Sequence, residues 1–144
     1  MAVSASTEFD LNAPASLVME ILLDVESLPE WSGPHKSAKI LTTDADGRPD
    51  RVELSVSAVG MTDNQTLDYT WTDTTCAWTL VESSQLSEQS GVYTLTDNGA
   101  TTHVKFDLSV ELKIKLPGLL VKRAQKIAVD TAKKGLTDEV KRRS

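Results

Sequence analysis

The chain has 144 residues, 40% hydrophobic and 25% charged, with a net charge of −6, which is ordinary globular composition and enough chain for one good core. No apolar run is long enough to span a bilayer, the start Met1-Ala2-Val3-Ser4 lacks a secretory pattern, and the lone Cys76 excludes an internal disulfide. One domain over residues 1–144 is therefore expected, cytoplasmic, with no transmembrane segment. Its charge is uneven: eight Lys/Arg against three Asp/Glu give residues 117–144 a charge of +5, while seven against eighteen leave −11 upstream. An acidic body argues against nucleic acid as a partner, since phosphate contacts need clustered cations. The basic tail reads as the solvated face of an amphipathic helix, with transient contact to a membrane surface as the alternative.

Val3, Ala5, Thr7 and Phe9 alternate with Ser4, Ser6, Glu8 and Asp10, predicting a strand with one wet face. Asn12 and Pro14 then supply an Asx-type cap and a proline for a helix that carries Val18, Ile21, Leu22 and Val25 on one face. A short second helix is expected from Val25 to Trp31, stopped by Ser32-Gly33-Pro34. Beyond it the period falls to two. Lys36–Thr43 predicts a strand, closed by the turn Asp44-Ala45-Asp46-Gly47. Val52, Leu54, Val56 and Ala58 share one face, as do Leu67, Tyr69 and Trp71, then Cys76, Trp78 and Leu80, then Gly91, Tyr93 and Leu95. Asp97-Asn98-Gly99 predicts a hairpin before Val104, Phe106, Leu108, Val110, Leu112 and Ile114. After Pro117-Gly118 the helical period returns, and Leu120, Ala124, Ile127, Ala128, Thr131, Ala132, Gly135, Leu136 and Val140 form one stripe. About 24 such residues make a rod of roughly 36 Å, long enough to cross a domain.

Segregated helices beside a meander of strands predict an α+β fold, with a curved antiparallel sheet of about seven strands around the long C-terminal helix. Only that helix can cover the apolar face of so wide a sheet, and its stripe is mostly Ala, Thr and Gly. Such a stripe either lets the helix approach closely or leaves an apolar cavity beside Tyr69, Trp71, Trp78 and Phe106.

Groups able to move protons are scarce. The parity of His103 matches Lys105 and Asp107, which puts it on the outer face. His35, in a Gly-Pro-His turn near the expected cavity mouth, reads as a surface residue, with ligand contact as the alternative. Cys76 reads as a buried structural thiol, and Tyr69 and Tyr93 as core tyrosines whose hydroxyls could orient a ligand oxygen. Two distant histidines and one cysteine lack metal-ligand spacing, and no phosphate loop is present, so neither metal nor cofactor is expected.

The stretch Phe9-Asp10-Leu11-Asn12-Ala13-Pro14, with Asp24 and then Leu28-Pro29-Glu30-Trp31, resembles the START-like superfamily of polyketide cyclase/dehydrase and coenzyme-Q-binding proteins. Trp71-Thr72-Asp73 and Cys76-Ala77-Trp78 are similar to small actinobacterial, hence bacterial, members. The resemblance covers nearly the whole chain. It implies a helix-grip fold whose cavity holds lipids, isoprenoid quinones or polyketides. The expected function is therefore binding or carrying an apolar small molecule, leaning away from an enzyme. A cyclase/dehydrase-type enzyme and a protein-interaction or regulatory module are the alternatives. The expected walls are Leu54, Val56, Leu67, Tyr69, Trp71, Trp78, Leu80, Tyr93, Phe106 and Leu108, with Ala124, Ala128 and Ala132 from the helix. No catalytic residue is assigned, and the chain is expected as monomer or homodimer.

Overall fold

A computed structural model describes residues 1–144. Strand β1 (Ala2–Leu11) leads into helix α1 (Ala15–Leu23), a 3-10 turn (Val25–Ser27) and the single-turn α2 (Leu28–Trp31). A meander follows: β2 (His35–Ile40), β3 (Arg51–Ala58), β4 (Met61–Trp71), β5 (Thr75–Ser83), β6 (Leu86–Asp97) and β7 (Thr102–Leu112). Helix α3 (Gly118–Asp130) runs through a π-helical turn (Thr131–Gly135) into α4 (Leu136–Arg143). The strands form one antiparallel sheet in the order β1-β7-β6-β5-β4-β3-β2. The α+β helix-grip expectation holds: a curved, open, seven-stranded sheet faces a long C-terminal helix. Because β1 and β2 are opposite edges, the segment holding α1 and α2 must cross from one side of the sheet to the other.

Local chemistry sets the curvature. Register shifts interrupt the β2–β3, β4–β5 and β6–β7 ladders, and bulges of this kind bend and twist a sheet. The β3–β4 hairpin turns through only Val59 and Gly60, both at positive φ (47° and 79°). That conformation suits glycine and strains a β-branched valine. Inward residues of β1, β3, β4, β6 and β7 join Val18, Ile21, Leu22 and Val25 of the α1 region and Leu136 and Val140 of α4 in one core. The end of α4 is tied down by charge. Glu139 is 2% exposed and accepts hydrogen bonds from Arg142 and Arg143, while Arg143 also reaches Asp24 at 2.9 Å.

Three local expectations change. Pro14, not Asn12, is the N-cap of α1, and no side chain caps that end. Strand β2 stops at Ile40, leaving only an isolated bridge from Thr43 to Pro49. Strand β7 stops at Leu112, so Ile114 lies outside the sheet, 47% exposed.

Candidate functional site

Between the concave sheet and α3 lies a cavity of about 270 Å³ with 24 hydrophobic residues among its 32 lining residues. Its floor is aromatic. Tyr69 on β4 stands opposite Trp78 on β5, and Tyr93 on β6 opposite Phe106 on β7. Successive ring centroids from Tyr69 through Trp78 and Tyr93 to Phe106 are 5.9, 5.7 and 4.9 Å apart, within the range of favourable tilted pairs. Gly91, opposite Trp78, is what lets the indole lie flat. A Cβ there would come within 2.2 Å of the ring.

The roof is built from small side chains. Ala124, Ile127, Ala128, Thr131 and Ala132 line the cavity, and no residue of α3 itself is fully buried. An Ala-rich face held over a wide sheet cannot fill the space below it. The π-turn adds width to the helix where α2 meets it. Gly135 sits against Trp31, where a Cβ would lie 2.5 Å from the Trp31 carbonyl oxygen.

Eleven of the expected wall residues face this space: Leu54, Val56, Leu67, Tyr69, Trp78, Tyr93, Phe106, Leu108, Ala124, Ala128 and Ala132. Trp71 and Leu80 do not. Trp71 stacks on the outer side of Tyr69, and its indole N–H donates to the Pro49 carbonyl at 2.7 Å, so it plugs the end of the sheet. Leu80 lies just past Thr79, the last residue of β5 paired with β6, in the cleft where the two strands separate.

Polar groups on the wall include residues the sequence reading passed over. Asp63, 7% exposed, has no cationic partner. Its carboxylate accepts from Gln65 Nε2 (2.8 Å), Ser83 Oγ (2.7 Å), Ser84 Oγ (2.6 Å) and the backbone amides of Ser84 and Gln85 (3.0 and 3.1 Å). Burial pushes its pKa up, but these donors outweigh burial and hold the carboxyl below its ordinary value. Gln89 Nε2 donates to Gln65 Oε1 at 3.0 Å, and Trp78 Nε1–H donates to Gln89 Oε1 at 3.1 Å. Extending the alternation of Leu67 and Tyr69 backward reaches Gln65 and Asp63, and extending that of Gly91 and Tyr93 reaches Gln89. The signal was present in the parity and masked by the polarity of the residues.

His35 is a second correction. It lines the cavity instead of standing in a surface turn, its Nδ1 paired with the hydroxyl of the buried Ser32. Desolvation lowers its pKa to about 4, so the ring is neutral at pH 7. Cys76 is buried on the wall with its thiol pushed up by desolvation, away from a reactive thiolate. Burial likewise raises Tyr69 and Tyr93, keeping both phenols protonated. His103 is on the outer face as expected, between Glu8 (3.0 Å) and Asp10 (2.8 Å).

Among solved structures the chain is similar to a START superfamily protein from Mycobacterium smegmatis, with a TM-score of 0.86, 24% identity and coverage of 98% of this chain and 99% of that one. A protein from Thermus thermophilus gives a TM-score of 0.82 at 23% identity, covering 98% and 99%. The Zhui aromatase/cyclase from Streptomyces sp. R1128 gives 0.79 at 19%, covering 99% and 96%. At these identities the likeness is one of fold. No curated protein matches the chain. Family membership comes from sequence: residues 11–137, from the end of β1 into α4, match the family described as polyketide cyclase / dehydrase and lipid transport, and the chain belongs to it.

Proposed function

We propose that residues 1–144 form one START-like domain that binds and carries an apolar small molecule, a lipid, isoprenoid quinone or polyketide, in the cytoplasm. The observation that carries this reading is the cavity of about 270 Å³, floored by four aromatic rings and roofed by alanines. Its size is close to the lower end of small-molecule sites, and its apolar wall with a few polar groups is what such sites use. The wall's titratable groups are held in resting states. Cys76 and the tyrosines are protonated, His35 is neutral, and Asp63 is fully occupied by donors. Native mass spectrometry of protein purified gently from its own host tests the proposal. A retained small molecule lost on Ala128→Phe supports it. Failure of the wild-type protein to retain or take up any member of a lipid, quinone and polyketide panel overturns it.

A cyclase-type reaction on a polyketide-like substrate is the second reading. It draws on the neutral imidazole of His35 at the wall, a ring able to hydrogen-bond and orient a substrate carbonyl. Conversion of a poly-β-ketone substrate that disappears in His35→Phe, with binding retained, would favour it over simple carriage.

Loading from a membrane surface fits the carrier reading. No helix is long and apolar enough to cross a membrane. At the start of α3, however, Leu119 is 81% exposed, and Lys122, Arg123 and Lys126 share its outward face. A bare apolar side chain ringed by cations suits an anionic lipid surface.

A further inference from the structure

We infer that the cavity selects ligands by an uncharged hydrogen-bond acceptor, a ketone or quinone carbonyl, received by the amides of Gln65 and Gln89, and that it rejects anionic head groups such as carboxylates. This rests on the carrier reading and narrows it to a ligand class.

A hydrogen-bonded chain along the wall is fixed at its two ends. Asp63, ionised, only accepts, and the indole N–H of Trp78 only donates. Gln65 must therefore turn its NH₂ to Asp63, and its carbonyl accepts from the NH₂ of Gln89 (3.0 Å). The Gln89 carbonyl in turn accepts from Trp78 (3.1 Å). Neither amide can flip without facing donor to donor at one end. Each NH₂ has two N–H bonds, and this chain uses one, so each amide keeps a second N–H on a residue that lines the cavity. Tyr69 and Tyr93 add protonated hydroxyls at the aromatic floor, neither engaged by another side chain or the backbone. The two amides thus present fixed donors, and each hydroxyl can rotate to donate beside them, an arrangement that suits an acceptor on the ligand.

Charge sets the second half of the selectivity. Asp63 is an ionised carboxylate without a Lys or Arg partner, in direct contact with Gln65 (2.8 Å). No Lys or Arg lines the cavity. A second anion there would meet like charge in a medium of low dielectric, with nothing to neutralise it. A carbonyl oxygen carries only partial charge and is tolerated. Apolar bodies of equal size are then sorted by their polar group.

Three probes of one ring size separate these ideas: 2,3-dimethyl-1,4-naphthoquinone, 2,3-dimethylnaphthalene and 2-naphthoate, each followed by calorimetry at pH 7. The quinone should bind about tenfold more tightly than the hydrocarbon, the worth of one net hydrogen bond, and naphthoate more weakly than both. Gln89→Met, which keeps length and leaves Asp63 untouched, should bring the quinone down to the hydrocarbon's affinity. Asp63→Asn, if it folds, should raise naphthoate affinity. Quinone and hydrocarbon binding equally, or naphthoate binding as well as the quinone, overturns the selectivity while leaving the carrier reading intact. An unchanged quinone preference in Gln89→Met likewise overturns the assignment to these amides. No binding of either neutral probe overturns the inference, while the carrier reading stands or falls with the wider lipid, quinone and polyketide panel.

Discussion

His35 and His103 show how placement alone divides one residue type into opposite behaviours. In His35 desolvation removes the benefit of charge, and the ring titrates at about 4. As pH falls below the unfolded value of about 6.5, the unfolded chain takes up a proton that the native ring refuses, so stability is lost between there and about pH 4. His103 is the reverse. Hydrogen bonds to Glu8 and then Asp10 raise its pKa, so its contribution is present below the unfolded value and lost as pH rises through the folded one. Histidine NMR should find His35 unprotonated from pH 8 down to 5.5, with His103 still half charged above 6.5. A His35 midpoint near 6.5 would mean that the ring is solvated. Gly91 gives a second expectation at this scale. Gly91→Ala places a methyl inside the Trp78 ring, and overpacking of that kind destabilises by about 1–3 kcal/mol in urea unfolding. No change in the unfolding midpoint would show that the indole does not rest on this glycine.

At the scale of elements, the terminal helix decides whether there is a cavity at all. Its lower half is packed: Gly135 sits against Trp31, Leu136 and Val140 are buried in the core with the α1 region, and the Glu139–Arg143–Asp24 contacts fix the end. Its upper half lies over open space, and Ala128 is on the cavity wall. In Ala128→Leu the larger side chain should occupy that space, gaining burial at about 0.8 kcal/mol per methylene. Thermal unfolding of the ligand-free protein should be unchanged or raised, and uptake of the naphthoquinone weakened. A fall in Tm with binding untouched would show a solid contact at that turn.

For the whole molecule, the separation of charge along the chain becomes a separation in space. The basic α3 face with Leu119 faces away from the sheet, whose strands carry ten of the 21 carboxylates. Vesicle flotation with 30% phosphatidylserine should retain the wild-type protein at low salt, since each cation near an anionic surface contributes about 1 kcal/mol. Leu119→Glu should reduce the bound fraction several-fold. Equal flotation of the two proteins would remove membrane loading from the scheme, leaving cavity binding to be judged on its own tests.

Alternation and helical periodicity by themselves determined which faces are apolar, hence the strands from Ala2 to Leu112, the terminal helix, and most of the aromatic floor. Those are local properties, written every second residue in a strand and every third or fourth in a helix. Asp63, Gln65 and Gln89 obey the same parity, yet polar residues carry no hydrophobic signal. Only cross-strand neighbours, about twenty residues apart in the chain, show that they meet. Trp71 and Leu80 erred in the other direction. Their faces were read correctly, but a hydrogen bond to Pro49 and the parting of β5 from β6 put them outside the wall. The position of His35 was likewise beyond the reach of local pattern, because its burial depends on Ser32 and on the helices that cross from β1 to β2. Whether small residues on a helix mean close packing or empty space is a matter of how far that helix stands from the sheet, and only the tertiary structure sets that distance.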